Sequence, residues 1–228
     1  MTSFALKLIA IAGMTCNHAA YLFAAWLPYP AYCLLEGLGG LTFPVMAFLL
    51  AEGWRHTSNV WRYGLRLALF ALVSQVPYAL FLGWEGNVMF TLLAGLALLH
   101  LRDALRSRAL WWLAAVALAV FTLGADWGLI GVAMVLVAGL APARLQRSLG
   151  MAALPAAAIG IPALAGLAAG DATALPALLY AAGNLAAGGL LLLYDGRRGR
   201  PLKWFFYAYY PAHIAVLGVA RGVLLGVW

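Results

Sequence analysis

The stretch FALKLIAIAGMTCNHAAYLFAAWL, residues 4–27, is apolar over a length sufficient to cross a bilayer, yet it carries Asn17 and His18 side by side. A spanning helix needs roughly 20 apolar residues, and an imidazole placed in hydrocarbon must find a partner or a wet cavity, so its retention points to function. The segment resembles a secretory leader in having one Lys and an apolar run. It continues past His18 without a small-residue cleavage pattern, however, and therefore reads as a first membrane span.

Working outward, the rest of the chain has the same character. Of its 228 residues 66% are hydrophobic and only 9% charged, against about 25% charged in a soluble domain. Apolar runs recur from residue 4 to residue 227 with short polar breaks, which leaves no room for a separate soluble domain: residues 1–228 read as one membrane domain. The expected architecture is all-α and polytopic, with about nine transmembrane helices. The candidate spans are 4–27, 33–51, 63–82, 88–101, 109–124, 127–141, 149–168, 174–194 and 204–225, of which the fourth, fifth and sixth are short.

The net charge of +7 does not indicate nucleic acid, because the bases fall in short gaps between apolar runs rather than on basic helices or aromatic-studded sheets. They read as topological. Lys and Arg are biased toward cytoplasmic loops, and of the 14 basic residues all but Arg221 fall on one side of the alternation that nine spans produce. The opposite gaps hold Glu36, Glu85, Asp126 and Asp171. The N-terminus is thus expected on the cytoplasmic side.

Two cysteines, Cys16 and Cys33, lack metal-ligand spacing and read as packed thiols, so no metal is expected. The soluble hydrolase, zinc-protease, P-loop and dinucleotide fingerprints are absent. The chemistry-bearing residues lie elsewhere. Lys7 and His18 are eleven residues apart, about 16 Å along a helix and on one face of it. That face suits a long substrate, anionic at one end and reactive at the other. The bland alternatives are a snorkelling lysine and a histidine bonded to a neighbouring helix. His213, in the last span behind FFYAYYPAH, has Tyr209 and Tyr210 at helical spacing. Asn87, Asp126 and Glu36 at span ends can each serve as a helix cap, and Glu52 with Arg55 reads as an i,i+3 ion pair.

Several stretches, LKLIAIAGMTCNHAAYLF, GLTFPVMAFLLAEGWRHTSNVWRYGLRLALFALVSQVPYAL, GNVMFTLLAGL, DWGLIGVAMVLV and FFYAYYPAHIAVLG, occur in the order and approximate spacing of the TraX family of membrane proteins. The basic residue followed, after ten positions, by His also resembles the first-helix motif of the type-three membrane acyltransferase superfamily. This resemblance implies an acetyltransferase: the founding member acetylates the amino terminus of conjugative pilin, with acetyl-coenzyme A as donor substrate. Carried over residue by residue, the acyl-transfer histidine is His18 and the basic position is Lys7. Asn17 would position His18, with His213 and Tyr210 beside it in a cavity. Lys7, Arg55, Arg62 and Arg66 would meet the coenzyme phosphates, and Asn87 would join the cavity. The acceptor would be a protein such as a pilin, or a small amine or hydroxyl compound.

Two positions depart from the pattern, in which Asp commonly precedes the histidine and Arg commonly stands shortly before the FP pair. Here they are Asn17 and Gly40, and Glu36 and Asp126 are the acids that could substitute. Two other classes also fit an intramembrane histidine pair: a small-solute or proton-coupled transporter, and a non-catalytic pilus assembly factor.

Overall fold

The computed structural model describes residues 1–226. Its helices are α1 (Ser3–Phe23), α2 (Tyr29–Gly39), α3 (Thr42–His56), α4 (Val60–Phe81), α5 (Val88–Ala104), α6 (Arg108–Thr122), α7 (Gly128–Leu140), α8 (Arg144–Pro155), α9 (Ile161–Ala168), α10 (Leu175–Leu192) and α11 (Lys203–Leu225). A π-helical turn at Ala156–Gly160 joins α8 to α9, and a 3-10 turn at Ala172–Ala174 leads into α10. Among the described residues no strand forms; one isolated bridge pairs Gly86 with Ala125.

Six segments are long and apolar enough to cross a membrane: Ser3–Phe23, Tyr29–His56, Val60–Phe81, Arg144–Ala168, Ala172–Leu192 and Lys203–Leu225. The expected fourth, fifth and sixth spans are helices α5, α6 and α7, of 17, 15 and 13 residues. All three fall below spanning length by that measure, so the expectation of about nine full spans is met by six. Polar stops set these shorter lengths. Asn87 and Ser107 cap α5 and α6 through their side-chain oxygens, and α7 begins only after Trp127, which takes a left-handed φ of 65°. The expected second span is two helices, α2 and α3, meeting at Gly40 and Leu41.

The helices close into a ring in which α1, α2, α10, α8, α7, α5, α4 and α11 each pack on the next, and α11 packs back on α1. Helix α3 runs inside this ring, against α1, α5, α7, α8 and α10. Its sequence explains the placement, since Phe43 to Ala51 apart from Met46 are all buried. A helix apolar all round belongs in an interior. The outer faces are apolar too: Leu65, Leu69, Leu72, Val76 and Leu80 on α4 are all more than half exposed. In water such a surface would aggregate, whereas in lipid every helix satisfies its own backbone and presents hydrocarbon outward.

Helix α2 meets α10 with no side chains between them. A Cβ on Gly40 would lie 2.1 Å from the Tyr180 carbonyl oxygen, and one on Gly183 would lie 2.0 Å from that of Gly37. Small residues permit this close backbone approach, which drives helix association in membranes where lipid competes with ordinary apolar packing. The seam also leaves no volume for a side chain at Gly40, the position where the resemblance leads one to expect Arg.

Arginines close the ends of other helices. Arg55 donates to the carbonyls of Ala138 (2.5 Å) and Gly139 (2.7 Å) at the end of α7 and to Glu52 Oε1 (2.5 Å). Arg147 bonds the same Glu52 oxygen (3.0 Å) and the carbonyls of Ala141 and Pro142, while Arg144 bonds those of Leu192 and Tyr194 beyond α10. Cations there satisfy orphan carbonyls and oppose the negative end of the helix dipole. Arg55, expected from the family resemblance to meet a coenzyme phosphate, is therefore committed to holding α3 against α7. Arg55→Ala is expected to lower stability by about 1.5–3 kcal/mol, the range for hydrogen bonds to charged groups, measured as a fall in thermal midpoint in detergent. An unchanged midpoint would release Arg55 from this structural role.

Two cavities that meet at His18

Two cavities enter the ring from opposite ends of α1. The first, of about 580 Å³, is lined at its mouth by Lys7, Arg66, Arg198, Arg200 and Lys203, and deeper by Met14, Phe43, Tyr210, Asn17 and His18. The second, of about 790 Å³, is lined by Tyr21, Tyr29, Tyr32, Tyr78, Glu36 and Glu85, with no Lys or Arg in its wall. Asn17, His18, Asp126 and Tyr180 belong to both walls. A basic cavity and an acidic cavity are thus separated by a thin partition that contains an imidazole.

The spacing argument from Lys7 to His18 holds, because both residues line the first cavity, with Ile11 and Met14 between them. Lys7 Nζ lies 5.3 Å from the centre of the Phe206 ring, within the range in which a ring face attracts a cation. Arg66 stands 5.7 Å from the Tyr63 ring, and its buried Nε has no hydrogen-bond partner. A guanidinium left with a free donor beside a cavity is suited to an anion. Arg62, by contrast, is exposed and lines neither cavity.

The segment between α10 and α11 supplies bases that the sequence reading treated as topological. The amides of Ser3 and Phe4 donate to the carbonyls of Arg197 (2.9 Å) and Arg198 (3.1 Å), which holds this segment across the start of α1. Asp195 takes hydrogen bonds from the Arg197 guanidinium at 2.8 and 3.0 Å. These bonds hold its carboxyl down at about 2. With Arg197 neutralised in this way, Arg198 and Arg200 remain to line the cavity mouth beside Lys203.

At the partition, His18 Nδ1 lies 2.7 Å from His213 Nε2, and His213 Nδ1 lies 2.9 Å from the Tyr209 carbonyl oxygen. The two rings are within 8° of parallel with centroids 4.9 Å apart; with nitrogens in hydrogen-bond contact, that spacing means rings joined edge to edge. Tyr209 is fixed in turn by its hydroxyl, 2.8 Å from Thr15 Oγ1 on α1. Tyr210, 6% exposed, contributes to the wall of the basic cavity, and its buried hydroxyl has no hydrogen-bond partner among the described residues.

Two expected site residues are placed differently. The Asn17 amide donates to Glu36 Oε2 at 3.1 Å, so Asn17 lines both cavities but is not what holds the imidazole; His213 has that place. Asn87 lines neither cavity. It is wholly buried as the cap of α5, accepting from the Met89 amide at 3.0 Å and donating to the Ala71 carbonyl and to Gln75 Oε1 at 2.8 Å each. Its polarity satisfies a helix end, the capping alternative that its sequence position allowed.

Tyr180 is a wall residue that the sequence does not single out, while Asp126, expected as a helix cap or a substituting acid, lines both walls. Asp126 is delivered by the left-handed Trp127, whose ring stacks on Phe43 at 4.2 Å and 11°. Its backbone is clamped by bonds from the Asp126 amide to the Gly86 carbonyl (2.8 Å) and from Thr91 Oγ1 to the Asp126 carbonyl (2.5 Å). A bulky residue at positive φ is a strained conformation that its surroundings must enforce. Only such an observed outlier, and no sequence spacing, marks the acid as a wall residue.

A family model described as TraX protein matches residues 3–221. A probable fimbrial assembly protein, FimC of serogroup H1 from Dichelobacter nodosus, is 32% identical over 244 residues, covering 96% of this chain and 96% of that protein. No solved structure matches the chain.

Proposed function

The chain belongs to the TraX family, and from that premise we propose that it is a bacterial inner-membrane acetyltransferase that takes acetyl from cytoplasmic acetyl-CoA and delivers it to an amine presented from the opposite face. The observation that carries this reading is the meeting of a basic and an acidic cavity at His18. The basic mouth would face the cytoplasm, in keeping with the bias of Lys and Arg toward that side. Its bases suit the nucleotide phosphates of the coenzyme, and the apolar channel past Met14 suits a thin acyl-bearing arm. The acidic cavity, bearing Glu36, Glu85 and Asp126, would draw in an ammonium and repel anions. Such an acceptor includes the amino terminus of a pilin-like protein, which accords with the fimbrial assembly role in the name of the Dichelobacter relative.

In the proposed reaction, His18 acts as general base. A new bond forms between the acceptor nitrogen and the acetyl carbonyl carbon as the carbon–sulfur bond of the thioester breaks. The ammonium first sheds one proton into the acidic cavity to become a neutral amine; the imidazole takes the next proton as that amine attacks and returns it to the departing coenzyme thiolate, so the products are the amide, free coenzyme A and one released proton. Tyr210, of the same wall and with an unpartnered hydroxyl, would donate to the carbonyl oxygen as negative charge develops there.

The test is incubation of the purified protein with isotopically labelled acetyl-CoA and peptides carrying a free amino terminus, followed by mass spectrometry of peptide and enzyme. Label on the peptide amine is expected. Absence of transfer, of coenzyme A release and of thermal stabilisation by coenzyme A would sink the reading. That result would favour a non-catalytic assembly factor, the second reading, which the name of the relative supports equally. Within the transferase reading, Arg66→Ala is expected to raise the KM for acetyl-CoA about tenfold with kcat little changed, because it removes binding common to ground and transition states. Arg62→Ala, outside the cavity, is the control and should leave KM unaltered.

A further inference from the structure

We infer that His213 is the positioning residue of the site: through its contact with His18 it selects which nitrogen of the His18 ring is free to react. The argument needs only hydrogen-bond bookkeeping. A carbonyl oxygen accepts and never donates, so the 2.9 Å contact between His213 Nδ1 and the Tyr209 carbonyl places a proton on Nδ1. A neutral imidazole carries one proton, which leaves His213 Nε2 as a bare lone pair. The 2.7 Å contact to His18 can then form only if His18 Nδ1 donates. His18 is therefore fixed as its Nδ1–H tautomer, and its Nε2 carries the open lone pair. No protein group contacts that nitrogen at hydrogen-bond distance among the described residues, while the ring lies in the wall of both cavities.

The relay is anchored at both ends. Tyr209, whose carbonyl starts it, is pinned by its hydroxyl to Thr15, one turn before His18 on the same helix. The relay thus joins α1 and α11 twice, and it orients the ring without a carboxylate. This resolves the Asn17 departure, because in this chain the orienting acceptor comes from the last helix and not from the preceding residue. Asn17 is left to bond Glu36 at 3.1 Å in the wall of the acidic cavity.

The catalytic meaning of this relay rests on the transferase reading, but its geometry does not, and the experiment separates the two. Protein with 15N-labelled histidine, in wild-type form and as His213→Leu and His213→Gln, is examined by NMR with His18→Ala used for assignment. Wild-type His18 should show a protonated Nδ1 and a bare Nε2. The leucine variant should lose that signature and move toward the Nε2–H form that isolated imidazoles prefer. The glutamine variant can present an oxygen near the position of the His213 Nε2, and it should restore the signature. In the acetyl-transfer assay the leucine variant should lose about 100- to 10,000-fold in kcat, the scale set by a general base held in the wrong tautomer. Its KM for acetyl-CoA should hold, and the glutamine variant should recover most of the rate. A wild-type His18 found as Nε2–H, or a leucine variant with an unchanged His18 signature, overturns the inference even if transfer is observed. The expected signatures without any transfer would keep the positioning and remove only the proposed reaction.

Discussion

His18→Ala is expected to lower kcat for acetyl transfer by about 100- to 10,000-fold, the contribution of a well-placed general base, with acetyl-CoA still bound. The separation of the two effects follows from where the residues lie. Lys7, Arg66, Arg198, Arg200 and Lys203 line the mouth of the basic cavity, while His18 stands at its far end in the partition. Removing the imidazole leaves the mouth intact. Within the transferase reading, coenzyme A should therefore stabilise the variant and the wild type against heat to the same degree, and only labelled product should disappear. An alanine variant that transfers acetyl at full rate would leave an enzyme but remove His18 as its base, and attention would pass to Asp126, the carboxyl side chain that both walls share.

A second large effect is expected from Gly40→Arg, which restores the residue common in the family pattern and should destroy the fold. The Cβ alone would sit 2.1 Å from the Tyr180 carbonyl oxygen and 3.0 Å from the Asn184 amide nitrogen. Both are backbone atoms of α10, so no rotamer change relieves the clash and the helices must part. Overpacking of an ordinary core costs about 1–3 kcal/mol; backbone against backbone should exceed that, and even Gly40→Ala should lower the thermal midpoint measurably. The check is recovery of monodisperse protein in detergent. A Gly40→Arg protein that purifies with a wild-type midpoint would mean that the α2–α10 seam is not closed as described.

The line from Lys7 to His18 could be read from the sequence because both residues lie on one helix, where periodicity fixes relative position. The gathering of bases is matched only in part: Lys7, Arg66, Arg198, Arg200 and Lys203, far apart in the chain, line one cavity. That His213 stands beside His18 is expected from the resemblance; that it bonds the ring directly could not be read. His213 is 195 positions away, and its approach depends on α11 packing against α1, which no local pattern encodes. Asn87 illustrates the converse: a polar residue at the mouth of an apolar run reads equally as a ligand or a cap, and only the bonds to Met89, Ala71 and Gln75 decide. Likewise α5, α6 and α7 are apolar enough to pass for spans, but they start at the Asn87 and Ser107 caps and after the left-handed Trp127, and run only 17, 15 and 13 residues.

The thin partition has an electrical consequence. With water filling both cavities, almost the whole transmembrane voltage falls across the layer that holds Asn17, His18, Asp126 and Tyr180, because conducting solvent on either side carries little of the drop. A unit charge moved through that layer exchanges about 2.3 kcal/mol with the field per 100 mV. Within the transferase reading, any proton that crosses this layer is thus driven or opposed by the energised state of the membrane.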